Sequence, residues 1–348
     1  MSLWSAEEYG KFLLCLPFNL CLLTRLDDAS LETQRYFWSH VEHVKFLGVE
    51  RNDWVLTKLL EFGRPHLAVT QIAWVLEKNP ELFSLDRIAE VLETSVQTAP
   101  SQGFDSGEFA YNSAELLDYL EKTEFSRDRL ATLELSYFQI HENYRSPRVL
   151  FDDLAKNPEL FVEALQCIFH AENQTEANGN DEHPNPSVAR SVWHLLEKWK
   201  QLPGRQEDGS VDETALRSWV FKVRKLAAEC DRSNIADRYI GYRFSFSPAD
   251  PDGTWPHRVV RDLVEELANS TINNSWRIQI SNNRGVTSRS STDGGEQERI
   301  LAEKYGKDAK QLRIQWPQTA AILRELANRY SQEASKEDLD AELVQDFW

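Results

Sequence analysis

Apolar residues recur along the chain at three- and four-residue intervals, the period of one helical face, and seldom alternate as a half-buried strand would. A first amphipathic helix is predicted from Ser5, which with Glu8 has the spacing of a capping box. Leu31, Tyr36, Phe37, Val41, Val44 and Phe46 predict a helix over 30–47, stopped by Gly48. Trp54 to Phe62 form the next, closed by Gly63. Pro65 opens another that ends at Asn79-Pro80, and Leu85–Val96 gives one more. After a break at Ala99–Gly107, where Asp105 and Glu108 can cap, helices are expected over 112–123, 126–142, 147–156 and 158–171.

The second half continues in the same way. Val188–Trp199, 212–229 and 256–268 read as helices, the last with Pro256 at its first position, and 232–246 carries Ile235, Tyr239, Ile240, Phe244 and Phe246. A segment at 270–280 and a loop at 281–299 follow. Asp293 and Glu296 are expected to cap the next helix, and Pro317 starts a final one that runs into an acidic tail. Arg243–Ser247 and Trp276–Ile280 are the only strand candidates. The expected fold is all-α: antiparallel helical hairpins stacked as an irregular HEAT/TPR-like array, with little or no sheet. The polar stretch 172–187 reads as a linker or long loop between an N-terminal half, 1–171, and a C-terminal half, 188–348. The hexapeptide KNPELF occurs at Lys78–Phe83 and again at Lys156–Phe161, a separation that suits two units of about 40 residues.

Composition narrows the class. The chain has 348 residues, enough for two ordinary domains or one long array. Its 11 Trp, 10 Tyr and 17 Phe are ordinary core and inter-helix packing residues in a helical protein. A net charge of −17 disfavours general nucleic-acid binding. Cys15, Cys21, Cys167 and Cys230 form no C-x-x-C or zinc pattern, so reduced, buried thiols are expected. The apolar start lacks a basic flank and is interrupted by Glu7, Glu8, Lys11, Pro17 and Asn19, which argues against a signal peptide or membrane span. That abrupt start suggests a piece of a larger protein, and the expected location is cytoplasmic.

The search for chemistry is mostly negative. Phosphate-binding, dinucleotide-binding, nucleophile-elbow and H-E-x-x-H motifs are absent from the sequence. His40 and His43 share a helix face at their spacing, but no third metal ligand lies near them. Arg35 and His40 form R-x-x-x-x-H, the spacing of helical HEPN-type ribonucleases, in which an Arg would stabilise phosphate charge and a His transfer protons. A spacing this short arises readily by chance. Asp250-x-Asp252-Gly253 has Arg261 where a calcium loop needs Glu, so it reads as a turn. The basic residues between Arg217 and Arg243 are interleaved with acids, as on a solvated face.

The loop 281–299 is the best candidate site. Gly285, Gly294 and Gly295 permit close backbone approach, Ser288, Ser290, Ser291 and Thr292 offer hydroxyls, and a helix N-terminus follows. Arg284, Arg289 and Arg299 add positive charge, so Arg284, Arg289, Gly294, Gly295 and Arg299 are the candidate anion- or partner-binding residues. The plain alternative is a surface loop whose arginines pair with the acidic surface.

The stretches LCLPFNLCLLTRL, LLEFGRPHLAV, LELSYFQIHENYRSPRVLFDDLAKNPELFVEAL, DRYIGYRFSFSPADPDGTWPHRVVRDLVEEL and NNRGVTSRSSTDGGEQERILAEKYGKDAKQLRIQWPQTAAILRELANRY resemble the helical C-terminal region of large bacterial proteins of unassigned function. The resemblance covers most of the chain in patches. It implies a module that works beside an N-terminal effector or nucleotide-binding domain, in a defence- or stress-related system, and it assigns no catalytic residue. The leading expectation is therefore a non-catalytic helical scaffold that binds a protein or peptide, with no cofactor and no metal. The alternatives are a metal-independent ribonuclease using Arg35 and His40, and an anion or nucleotide sensor using loop 281–299.

Overall fold

The computed structural model describes residues 4–45, 47–98, 106–172, 186–285, 288–290 and 293–346. Among them the chain is all-α, with seventeen helices and no strand. They are α1 (Ala6–Leu14), α2 (Leu20–Asp27), α3 (Leu31–His40), α4 (Val49–Glu61), α5 (Pro65–Leu76), α6 (Leu85–Gln97), α7 (Ser106–Glu121), α8 (Arg127–Tyr137) and α9 (Arg148–Lys156). There follow α10 (Pro158–Ile168), α11 (Pro186–Lys198), α12 (Glu213–Glu229), α13 (Ser233–Phe244), α14 (Arg258–Leu267), α15 (Ser270–Asn283), α16 (Glu296–Leu312) and α17 (Pro317–Asp346).

Local chemistry sets many of these boundaries. Ser5 and Glu8 make the full reciprocal capping box of α1. Asn19, Ser30, Ser84, Ser126, Asn157, Asp212 and Asn269 each accept a first-turn N–H with their side chains. Helix α3 stops at His40 instead of running on through Val44, because half-buried Arg64 caps it from outside. The Arg64 guanidinium donates to the carbonyls of Trp38, Ser39 and Val41, which a helix end leaves unpaired. Neither strand candidate is a strand: residues 245–247 form a turn after α13, and the other residues are helical. Arg243 and Phe244 close α13, and Trp276–Ile280 lies inside α15. There Ile272, Ser275, Trp276 and Ile280 are buried at helical spacing, while Ile278, which an alternating strand would bury, is 43% exposed.

Three other expectations change. Helix α14 begins at Arg258 with His257 as its cap, so Pro256 is not the first helical residue. The cap of α16 is Gly295, without a side-chain bond of its own. Asp293 instead accepts the N–H of Ser290 at 2.8 Å. The two KNPELF copies take different conformations: Asn157 caps α10, whereas Asn79–Phe83 is a connection and the next cap is Ser84. Phe46, Asp105, Ser291 and Thr292 lie outside the described residues.

The chain divides into two compact units, Met1–Leu150 and Phe151–Trp348, whereas the sequence reading places the division at 172–187. That polar stretch falls within the second unit because α10, ahead of it, packs on α11, α12 and α13 behind it. Residues 173–185 lie outside the described residues. In the first unit α5 packs on α6 and α7 on α8, while α5 also lies against α7 and α6 against α8. One helix pair is thereby stacked on the next. The core of this unit is fully buried at Leu56, Leu59, Val69, Ile72, Leu92 and Leu117. In the second unit Phe161 is surrounded by Trp219, Trp199 and Tyr239, with ring centroids 4.9, 5.7 and 6.3 Å away. Gly241 permits the crossing of α13 and α15, since a Cβ there would lie 2.4 Å from the Ile272 carbonyl oxygen.

Candidate functional site

The candidate loop residues converge, and they converge on carboxylates of the chain itself. Glu298, on the first turn of α16, is buried at 1% exposure. Arg284 donates to its Oε1, and Arg289 donates to Oε1 and, at 3.3 Å, to Oε2. Burial alone would raise the Glu298 pKa. The bonds from Arg289 and Arg284 outweigh it and hold the group at about 2. Arg289 also reaches Glu337 at 3.0 Å, and Arg284 lies 3.8 Å from Glu333 with its guanidinium 5.7 Å from the Tyr330 ring centroid. Arg299 pairs with Asp338 at 2.6 Å.

Gly294 and Gly295 serve close approach, toward α17. A Cβ on Gly295 would meet the Ala334 carbonyl oxygen at 2.3 Å and its Cα at 2.4 Å, and one on Gly294 would meet Asp338. The N–H of Gly295 donates to Asp338 Oδ1 at 2.8 Å. The carboxylates of Glu298 and Asp338 therefore stand where an external anion would be gripped, one between two arginines and the other at the helix N-terminus. The geometry binds the loop and α16 to α17.

Arg35 and His40 are both exposed on α3, at a separation that turns them about 140° apart around the helix axis. The His40 ring stacks on Tyr36 with centroids 4.2 Å apart, and its Nδ1 lies 2.8 Å from the Tyr36 carbonyl oxygen. His43 falls beyond the end of α3, so it shares no helix face with His40. No group of three or more metal-ligating side chains assembles among the described residues. Asp250–Thr254 forms the expected turn, with Gly253 at φ +83°. All four cysteines are free, but Cys15 and Cys21 are exposed and Cys167 and Cys230 only half-buried, so the expectation of buried thiols is corrected.

One polar arrangement has no sequence signature. Ser113 Oγ lies 2.8 Å from His141 Nε2, and both residues are buried. Burial, aided by Arg145, lowers the His141 pKa to about 4, so the ring is neutral near pH 7. The pair imitates a nucleophile and its base, but Ser113 is fully enclosed and also donates to the Phe109 carbonyl at 2.7 Å. Its place is in the α7–α8 packing. Beside it, buried Arg145 bridges Asp118, Glu121 and Glu134.

Of the open depressions among the described residues, two bear on function. A polar one of about 1230 Å³ lies among the start of α10, the Gln201–Asp208 turn and α12. Lys222 pairs with Glu159 and Lys156 with Asp152 in its walls. The other, of about 440 Å³, is a groove between α5 and α7. Thr70, Ala73 and Trp74 on α5, with its C-cap Glu77, stand at the spacing of one helical face, and Glu108, Tyr111, Asn112, Glu115 and Tyr119 do so on α7. Its floor is Ala73 with buried Leu76 and Leu116, and its rim carries Trp74 and Tyr111, 46% and 56% exposed. Asn112 Nδ2 donates to Thr70 Oγ1 at 3.3 Å, and Tyr119 Oη donates to the Pro80 carbonyl, so two hydrogen bonds tie the flanking segments together. Sequence periodicity marks both helices but cannot reveal that these two faces adjoin.

Fold and surface together define an all-α chain with an aromatic-rimmed, acidic groove. No helix among the described residues is long and apolar enough to cross a membrane. Compared with protein-family models, curated proteins and solved structures, the chain matches none.

Proposed function

We propose that the chain is a non-catalytic helical module that binds a protein or peptide partner within a larger assembly, and that its working surface is the α5–α7 groove. The observation that carries the reading is the exposure of Trp74 and Tyr111 over one apolar floor. Large aromatic rings around a small apolar patch are the side chains in which interfaces concentrate their binding energy. The stacking of α5–α6 on α7–α8 supports a HEAT- or TPR-like role, in which successive helix pairs present a continuous contact face.

Selection of a random peptide display library on the full chain tests this. Enriched peptides are expected to lose at least tenfold in affinity on the Trp74→Ala/Tyr111→Ala double variant, whose melting temperature stays near that of the parent. Enriched peptides that are all indifferent to the double variant would remove the groove from consideration.

A further inference from the structure

The groove carries a charge pattern that specifies its occupant more closely. Its lining holds four carboxylates, Glu77, Glu108, Glu115 and Asp118, against one ammonium, Lys122. Asp118 is already paired with Arg145 and Arg148. Glu77 and Glu115 are exposed, one on each wall, and neither side chain has a partner among the described residues. A cation seated over the apolar floor between these two walls is attracted by both carboxylates.

The aromatic rim has the same preference. Lys78 Nζ stands 4.0 Å from the Trp74 ring centroid, so the face of that indole already receives a cation in the free protein. An incoming Arg can displace that exposed ammonium, since a guanidinium stacks on the ring better than an ammonium. The wall along α7 runs about 20 Å from Glu108 to Lys122, just past the helix end, and the α5 side about 10 Å from Thr70 to Glu77, so a helix of up to about fourteen residues can lie along it with its central turns between both walls. A trough between two helices, with apolar floor and polar walls, is filled by a third helix that buries one apolar stripe.

Resting on the binding-module reading, we infer that the α5–α7 groove takes a basic amphipathic helix of a partner protein. Its apolar stripe lies on Ala73, Leu76 and Leu116, and its Lys or Arg residues face Glu77, Glu115 and the Trp74 ring.

Three synthetic fourteen-residue peptides with the same leucine stripe test the inference, with Lys, Gln or Glu on the polar face. Binding to the full chain is read by fluorescence anisotropy at 50 and 300 mM salt. The Lys peptide is expected to bind at least tenfold more tightly than the Gln peptide at 50 mM salt, and the Glu peptide least. Its affinity should fall about tenfold on Glu77→Gln/Glu115→Gln and on Trp74→Ala, and at 300 mM salt. Because a chain of net charge −17 attracts any polycation, the control is Glu163→Gln, an exposed acid on α10, which should change nothing. Equal loss on the control and groove variants, or no binding by the Lys peptide, overturns the inference. Equal binding of the Gln and Lys peptides, still dependent on Trp74, overturns the basic partner and leaves the binding-module reading standing. That reading fails separately, if library-selected binders also ignore Trp74 and Tyr111.

Discussion

Asp338 caps a helix to which it does not belong: its Oδ1 accepts the N–H of Gly295, at the start of α16, from 43 residues further along the chain. The same carboxylate pairs through Oδ2 with Arg299, so one side chain of α17 meets both the backbone and a cation of the neighbouring helix. The capping role expected of Asp293 has passed to a distant residue. That exchange depends on Gly295, whose missing Cβ lets the backbone of α17 come close.

Gly295→Ala should therefore be damaging. Its Cβ would meet the backbone of Ala334, which no rotamer change can move aside, so a loss of about 2 kcal/mol or more is expected. Asp338→Asn, which keeps an acceptor oxygen but loses the charge, should cost distinctly less. Denaturant midpoints of the two variants check the order, and equal midpoints would disprove the close-approach role.

Arg145 lies in a buried network whose removal leaves carboxylates stranded. The Glu134 side chain is fully buried and also accepts the N–H of Leu150 at 2.9 Å. Arg145→Met is expected to cost roughly 3–5 kcal/mol, the range for breaking a buried pair from one side. The double change Arg145→Met/Glu134→Gln should recover part of it, because the glutamine oxygen still accepts from Leu150 and no uncompensated charge remains. A double-mutant cycle in urea measures the coupling.

Acid should act in two stages. His141 has a folded pKa of about 4 against an ordinary value of 6.5, so between those values the unfolded chain binds the proton and the folded chain does not. Stability then falls as pH drops from 6.5 to 4, by about 3 kcal/mol at most. Glu298 is held at about 2 from 4.5, so its contribution is intact above pH 4.5 and is lost as pH falls toward 2. Denaturation midpoints at pH 7, 5.5, 4.5 and 3 should show both phases. His141→Gln should flatten the first and leave the second.

Two tryptophans should answer oppositely to truncation. Trp38 is fully buried and Trp74 is 46% exposed. Trp38→Ala is expected to cost roughly 3–5 kcal/mol through the cavity it leaves. Trp74→Ala should stay within about 1 kcal/mol of the parent, since it gives up mainly exposed surface and one cation–π contact. Melting curves distinguish the two, and a large loss at Trp74 would make that ring a packing residue.

Much of the helical inventory was legible because its signals are local. Ser5 with Glu8, Asn157 with Pro158, and Pro317 mark helix starts through hydrogen bonds and dihedral preferences that span only a few residues. The misread segments were settled by distant partners. The apolar spacing continues α3 through Val41 and Val44, but Arg64 takes the carbonyls at its end. Trp276–Ile280 has strand-like residue types, yet burial of Ile272, Trp276 and Ile280 together requires a helical period.

The candidate loop shows the same division. Its arginines and glycines were visible in the sequence, but their partners Glu298, Glu333, Glu337 and Asp338 were indistinguishable there from any other acids on an acidic chain. The α5–α7 groove carried no sequence signal beyond two helical stripes, since it exists only because one helix pair is stacked on another. What the sequence determined by itself is the all-α class and most helix starts, through periodicity and caps that act within a turn or two. Only the tertiary structure decided which charges neutralise one another and which exposed faces adjoin. Ion pairing and groove formation depend on distances between residues tens of positions apart, and those distances are set by packing.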